Sequence, residues 1–118
     1  MRFSQNAQKG KKMKIPSSIR IGGVEYAVKR EMNLNDGANM LYGRVDWEPS
    51  EIKLKFGMGD QHACITLWHE IIHALLYHSS VELDEETEER IADALGFGMY
   101  QVLEDNHDRI YAEGGRKA

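Results

Sequence analysis

The chain has 118 residues, of which 42% are apolar and 29% charged, and its formal net charge is −4. This length fits one domain with a modest core, and the composition is that of a soluble globular protein. No apolar run approaches the length of a membrane span, and no apolar segment follows the basic N-terminal residues, so neither a membrane partner nor a secretory signal is expected.

Charge is unevenly distributed along the chain. The first 20 residues hold six of the 15 basic residues and none of the 19 acidic ones, so the rest of the chain is strongly acidic. Such a body is a poor surface for duplex nucleic acid, and no nucleic-acid partner is expected. The single cysteine, Cys64, has no partner in the chain for a disulfide, which is typical of a reducing compartment. We therefore expect a cytoplasmic protein whose residues 1–14 form a disordered basic tail.

The first half of the chain predicts a small antiparallel β-sheet of three to four strands. Gly22 and Gly23 can supply the positive φ angles of a tight hairpin turn. Ile52, Leu54 and Phe56 alternate with lysines, which is typical of a half-buried strand with one wet face. At a sheet edge, that strand could hold an extended peptide by β-augmentation. The predicted strands are residues 19–21, 24–29, 41–47 and 52–56, with a loop over 32–39.

Two helices are predicted in the second half, over about residues 61–78 and 85–105. Asp60 and Asp84 are the expected N-caps. The second helix has a predicted buried stripe made of Ile91, Leu95, Met99, Val102 and Leu103. The expected fold class is thus α+β, a small sheet followed by two packed helices, with the domain over residues 15–106 and a frayed tail over 107–118.

The first predicted helix contains the segment His-Glu-Ile-Ile-His at residues 69–73, an H-E-x-x-H motif. Residues four apart lie one above the other on a helix, so His69 and His73 can offer two imidazole nitrogens to one ion. Glu70 can reach a water on that ion. Two neutral nitrogens and a nearby base are what zinc hydrolysis of an amide needs. The alternative is an ordinary helix whose histidines and glutamate face solvent.

Catalytic zinc sites usually have three protein ligands, so a third ligand is needed. In a helical hairpin the second helix climbs back toward the first, which returns Glu89 to the level of His73. Asp93, four residues further on, could accept a hydrogen bond from a liganding histidine. Glu88 is the rival ligand, because it lies nearer the centre of the apolar stripe and would need a partner if buried. The helical wheel leaves this choice open, and the Glu-x-x-Ala-Asp arrangement favours Glu89.

Three further residues are candidates for stabilising an oxyanion or lining a groove, namely His62, Tyr77 and Tyr42. His62 lies on the same strip of the helix as the two histidines of the motif. It precedes His69 by about 10 Å along the axis, which fits a groove residue better than a reacting one.

On these residues the chain resembles zinc metallopeptidases of the gluzincin type, in which a glutamate from a following helix joins the H-E-x-x-H helix. More closely, it resembles the small phage- and prophage-encoded zinc-peptidase-like proteins near the ImmA/IrrE family. The resemblance covers about residues 19–106. It is carried by the segments 43–46, 66–75, 89–93 and 100–106.

The resemblance implies a minimal zincin-like fold with zinc on His69, His73 and Glu89 and with Glu70 as the general base. The implied function is hydrolysis of a peptide bond in a phage or host regulatory protein. No segment of the sequence corresponds to the C-terminal subdomain that supplies a transition-state-stabilising His or Tyr in larger relatives. Two alternatives follow: a zinc-binding protein-interaction module with little or no turnover, and a helical-hairpin protein without metal.

Overall fold

The structure is a computed structural model that describes residues 14–112, and these residues form a four-stranded sheet, a two-stranded ribbon and three helices. This architecture confirms the predicted α+β class. In chain order the elements are β1 (Ser18–Ile21), β2 (Val24–Glu31), β3 (Asn35–Asp36), β4 (Asn39–Met40), β5 (Gly43–Asp46), β6 (Glu51–Lys55), α1 (Asp60–His78), α2 (Glu85–Asp105) and α3 (His107–Tyr111).

The main sheet has the strand order β1-β2-β6-β5 and is mixed. The pairs β1–β2 and β5–β6 are antiparallel, as predicted, whereas β2 and β6 are parallel. The parallel pair arises because the chain forms the β3–β4 ribbon and β5 before it returns to place β6 beside β2. Residues 52–56 could hold a peptide only at a sheet edge, and this condition is not met, since β6 is paired on both sides. The free edge next to β6 belongs to β5.

The β1–β2 hairpin turns at Gly22 and Gly23, whose φ angles of 59° and 82° are both positive, as predicted. The same hairpin anchors the end of α1. Tyr26, on β2, is only 1% exposed, and its hydroxyl lies 2.6 Å from His78 Nε2. This contact fixes the C-terminal end of α1 against the sheet.

The core lies between one face of the sheet and α1. Ile52 and Leu54 on β6 are fully buried, and they pack in a cluster with Leu67 and Ile71 of α1. The lysines that alternate with them face solvent on the other side of the sheet, where Lys53 Nζ lies 3.1 Å from Asp46 Oδ2. The alternation therefore predicted the faces of Ile52 and Leu54 correctly, but not that of Phe56, which follows the end of β6 and is 57% exposed.

The buried side of α2 differs from the prediction. The helix buries only Ala92 and Gly96, while Leu95, Met99 and Val102 are 50%, 37% and 51% exposed. The reason is a close approach of the two helices: a Cβ placed on Gly96 would lie 2.9 Å from the backbone of His69. The small residues of α2 therefore contact α1, and three residues of the predicted stripe are left exposed while Ile91 and Leu103 are half-buried.

The ends of the helices follow local sequence signals. The Asp84 carboxylate accepts a hydrogen bond from the Thr87 backbone N–H at 2.8 Å, which confirms Asp84 as the cap of α2. Asp60 is the first residue of α1 rather than its cap, because the cap position is held by Gly59. Part of the predicted frayed tail forms α3. The predicted tail over residues 1–14 and the chain after residue 112 lie almost wholly outside the described residues.

Within residues 14–112, no helix combines the length and the apolar character needed to cross a bilayer.

Candidate metal centre

The antiparallel helices α1 and α2 bring together the three residues that the sequence predicted as ligands. His69 and His73 lie one turn apart on α1, and their Nε2 atoms are 3.2 Å apart. Glu89 extends from the first turns of α2 toward both rings. Its Oε1 lies 3.2 Å from His69 Nε2, and its Oε2 lies 3.1 Å from His73 Nε2.

These separations fit a tetrahedral zinc ion. Zinc–nitrogen bonds of about 2.0–2.1 Å in a tetrahedron place neighbouring donor atoms roughly 3.3 Å apart. The two Nε2 atoms are 3.2 Å apart and each has its own oxygen of the Glu89 carboxylate at 3.1–3.2 Å, so the nitrogen–nitrogen and the nitrogen–oxygen separations differ from that value by no more than about 0.2 Å. Two imidazole nitrogens and one carboxylate are also a donor set of catalytic zinc sites, which leave a fourth position open. His69, His73 and Glu89 could therefore hold zinc without moving apart.

The far nitrogen of each histidine is held by a carboxylate. His69 Nδ1 lies 2.9 Å from Asp93 Oδ1, and His73 Nδ1 lies 2.6 Å from Glu88 Oε2. An ionised carboxylate only accepts hydrogen bonds, so both Nδ1 atoms act as donors. In the neutral rings the Nε2 lone pairs then face each other and the Glu89 carboxylate. Three acceptors at this distance repel one another unless a metal cation or a proton lies between them.

Asp93 is thus beside the histidine that it was expected to orient, whereas the position of Glu88 was not anticipated. The sequence offered Glu88 as a rival third ligand, but its carboxylate contacts the far nitrogen of His73 instead of the shared donor cluster. The signal in the sequence was the place of Glu88 near the centre of the apolar stripe, where a buried glutamate needs a partner. The position of α2 relative to α1 decides whether Glu88 reaches the shared donor cluster as a ligand or orients the ring of His73.

The electrostatics of the cluster favour bound positive charge. Burial acts to lower the pKa of His73, but the hydrogen bond to Glu88 and the charges of Glu70 and Glu89 outweigh it and raise that pKa. Burial raises the pKa of Glu70 from 4.5 to about 7, with Glu89 adding to the rise and His73 opposing it. The raised pKa of His73 reflects the carboxylates around it, whose negative charge a divalent cation would compensate, whereas the rise at Glu70 comes mainly from burial.

Glu70 lies on the floor of the cleft beside the donor cluster and is only 6% exposed. Strand β5 passes directly over it. A Cβ on Gly43 would lie 2.9 Å from Glu70 Oε2 and 2.7 Å from Thr66 Cγ2. A glycine is therefore required at position 43, and periodicity and spacing alone do not indicate this requirement.

The donor cluster opens into a cleft of about 630 Å³ between β5, α1 and α2. Of the three groove candidates, Tyr42 and His62 line this cleft, and their ring centres are 4.7 Å apart. Tyr77 stacks on Trp47 with ring centres 4.0 Å apart, and it is Trp47 that contributes to the cleft wall. None of the three candidates has a described contact with the donor atoms of His69, His73 or Glu89.

The open edge of β5 presents unpaired backbone groups to the cleft. The Lys55 backbone N–H donates to the Tyr42 carbonyl oxygen at 2.8 Å, and Arg44 is the register partner of Lys53. Successive residues of an antiparallel strand alternate between facing the partner strand and facing away from it. The N–H and C=O groups of Gly43 and Val45 therefore point away from β6, toward the free edge. An extended peptide could pair with them.

The arrangement can thus bind a divalent cation, hold a carboxyl group near the open coordination position and align an extended chain beside both. No protein-family model, curated protein or solved structure matches the chain. The function is therefore argued from these three features of the site.

Proposed function

We propose that the protein is a zinc-dependent metallopeptidase of the gluzincin type. The observation that carries this proposal is the donor cluster beside a buried Glu70, in which the Nε2 atoms of His69 and His73 are 3.2 Å apart and each has one oxygen of the Glu89 carboxylate at 3.1–3.2 Å. The resemblance to phage and prophage zinc-peptidase-like proteins supports a regulatory protein of phage or host as the substrate. The lone cysteine supports action in the cytoplasm.

Five side chains would share the task of metal binding. His69, His73 and Glu89 would supply the ligand atoms, while Asp93 and Glu88 fix the orientation of the two rings. When bound, zinc would act as a Lewis acid, polarising a peptide carbonyl and making a water molecule more acidic. The hydrogen bonds to both Nδ1 atoms raise the basicity of the ligands and limit ring rotation.

Glu70 would transfer the proton. Its carboxylate accepts a proton from the attacking water as the new carbon–oxygen bond forms, and it returns that proton to the amide nitrogen as the carbon–nitrogen bond breaks. Burial gives Glu70 a pKa near 7 without metal, and a nearby cation would lower it. With a cation bound, Glu70 would therefore be ionised at physiological pH and able to accept the proton of the attacking water.

Strand β5 would position the substrate. Backbone hydrogen bonds to Gly43 and Val45 would hold a peptide extended along the free edge, directly above Glu70. Such pairing recognises the main chain and so tolerates different side chains. It would also keep the scissile peptide at a fixed height over the donor cluster, which is the kind of positioning that proximity effects need.

The first experiment measures metal content and cleavage together. Purified protein loaded with zinc should bind one equivalent and cut members of a synthetic decapeptide library, with products identified by mass spectrometry. Glu70→Gln should keep the zinc and lose cleavage, whereas His73→Ala should lose both. Glu25→Gln, on the far side of the sheet, is the matched control and should behave like the wild type.

Two outcomes would contradict the proposal in different ways. Equal cleavage by the wild type and Glu70→Gln would refute Glu70 as the base. One bound zinc with no cleavage of any peptide would favour the alternative function, a zinc-binding protein-interaction module with a zincin-like fold. Absence of zinc binding would refute both the metallopeptidase and the zinc-binding interaction module.

A further inference from the structure

One end of the cleft is apolar, although the other end is acidic. The residues at this end, called the apolar end below, share large or ring-bearing side chains that face the cavity. They are Met40, Leu41, Tyr42, His62 and Ile65, and the charged residues Asp36 and Arg44 also line the cleft beside the ribbon that holds Met40. The opposite end is lined by Trp47 together with Glu85, Glu89 and Asp93. The lining of the cleft therefore changes from apolar to acidic along β5.

Two side chains of the apolar end are strongly exposed. Met40 is 52% exposed and Tyr42 is 48% exposed, and both line the cavity rather than an open convex surface. Apolar side chains that converge in a concave site next to a few polar groups are typical of ligand pockets. Covering them with another apolar group would remove that surface from water.

The wall that contains Met40 is held in place by specific contacts. It belongs to the β3–β4 ribbon, which is closed by a hydrogen bond from the Leu41 N–H to the Leu34 carbonyl oxygen at 2.9 Å. Leu34 is only 2% exposed. Arg44 joins the ribbon to β5 by donating from Nη1 to the Asn35 carbonyl oxygen at 3.1 Å. The apolar end is therefore built before any ligand arrives.

The distance from the apolar end to the donor cluster determines which residue of a bound peptide the apolar end would contact. Ile65 and His62 precede His69 by four and seven residues on α1, which corresponds to about 6 and 10 Å along the axis. An extended peptide advances about 3.3 Å per residue. A side chain in the apolar end would therefore lie two to three residues from the scissile bond.

We propose that the apolar end is a specificity pocket for a bulky apolar or aromatic side chain two to three residues from the cleaved bond. This inference depends on the proposed peptidase function and names the peptides that it would select. The free backbone groups of Gly43 and Val45 hold the main chain, and the apolar end then receives one side chain. Tyr42 offers a ring face and Met40 an adaptable thioether, so Phe, Leu and Met fit better than Gly or Asp.

The test uses a capped decapeptide library randomised at its central positions. The wild type should prefer bulky apolar residues at one fixed position, two or three residues from the cut, by about 10- to 100-fold in kcat/KM over Gly. Tyr42→Ala and Met40→Ala should each reduce that preference, and Tyr42→Phe should retain it. Met32→Ala is the matched control, since Met32 is 69% exposed and does not line the cleft. Zinc content and thermal unfolding verify that each variant is folded.

A binding arm separates failure of the pocket from failure of the peptidase. Zinc-loaded Glu70→Gln protein is incubated with the same library, and retained peptides are quantified by mass spectrometry. Cleavage with no residue preference in this region would overturn the pocket and leave the peptidase standing. Retention of apolar peptides that Tyr42→Ala abolishes, without cleavage by the wild type, would support the pocket and overturn the peptidase. Neither cleavage nor selective retention would overturn both.

Discussion

Replacing Gly43 by alanine tests the packing of β5 over the proposed base. The new methyl carbon would lie 2.7 Å from Thr66 Cγ2 and 2.9 Å from Glu70 Oε2. Two carbon atoms are in favourable contact at about 3.5–4.0 Å, so the first of these distances is short by roughly 1 Å. Thr66 and Glu70 are only 8% and 6% exposed, which leaves them little room to move. Either β5 shifts outward or Glu70 rotates.

Both responses have a measurable size. Overpacking of this kind typically costs about 1–3 kcal/mol of stability. A displacement of about 1 Å at a reacting group can cost on the order of 100-fold in rate. Zinc affinity should stay within about threefold of the wild type, because the loss of a ligand-orienting contact, which costs 10- to 100-fold, is not involved. We therefore expect Gly43→Ala to unfold at lower urea concentration, cleave peptide about 100-fold more slowly and keep its zinc.

Two controls make this prediction specific. Gly98 lies in α2 with no neighbour within 4 Å of an added Cβ, so Gly98→Ala should leave cleavage unchanged and raise stability by up to about 1 kcal/mol. The double variant Gly43→Ala with Thr66→Ser removes the nearest clashing methyl and should recover most of the lost stability. Wild-type stability and rate in Gly43→Ala alone, or no recovery in the double variant, would refute the steric argument.

Three further results are expected. Glu88→Ala should weaken zinc binding about 10- to 100-fold in competition with a chromophoric chelator, while Glu86→Ala, an exposed neighbour in the first turn of α2, should not. In zinc-free protein the raised pKa of Glu70 should give stability that is fully present below about pH 4.5 and is lost as the pH rises through about 7, by up to about 3 kcal/mol, and Glu70→Gln should flatten that urea-unfolding profile. Leu67→Ala should cost about 2–5 kcal/mol because Leu67 is fully buried, whereas Leu95→Ala, at a half-exposed site, should change stability by less than about 1 kcal/mol.

Local rules predicted the helical part of the site. The four-residue spacing of His69 and His73 fixes their relative placement on any α-helix, and the Asp84 cap fixes where α2 begins. Once both helix ends are known, the return of Glu89 to the level of His73 follows from the rise per residue. These features depend on few residues and short separations, which is why the sequence was sufficient for them.

The pairing of the sheet could not be predicted in the same way. Alternation at Ile52 and Leu54 indicates one buried face, but a central and an edge strand with one covered face share that pattern. The parallel pairing of β2 with β6 depends on the path of the chain through β3, β4 and β5. The assignment of the free edge to β5 therefore needed the structure, and with it the identification of Gly43 and Val45 as the backbone groups open to the cleft.

The buried side of α2 was mispredicted for a related reason. The spacing of Leu95, Met99 and Val102 correctly describes an apolar stripe, but periodicity does not say which side of a helix meets its neighbour. That side is decided by where the two helices approach each other most closely, and small side chains permit a close approach. Because Gly96 meets the backbone of His69, α2 turns Ala92 and Gly96 inward and leaves the larger residues exposed.

Gly96 and Gly43 act on the candidate metal centre from two different elements, α2 and β5. Gly96 lets α2 approach His69 closely enough for Glu89 and Asp93 to reach that ring, and Gly43 lets β5 pass over Glu70. A larger residue at either position would displace Glu70, Glu89 or Asp93 without exposing residues of the hydrophobic core. Stability and metal chemistry are therefore coupled at these two glycines, whereas at the exposed stripe of α2 a substitution can alter the surface without altering the site.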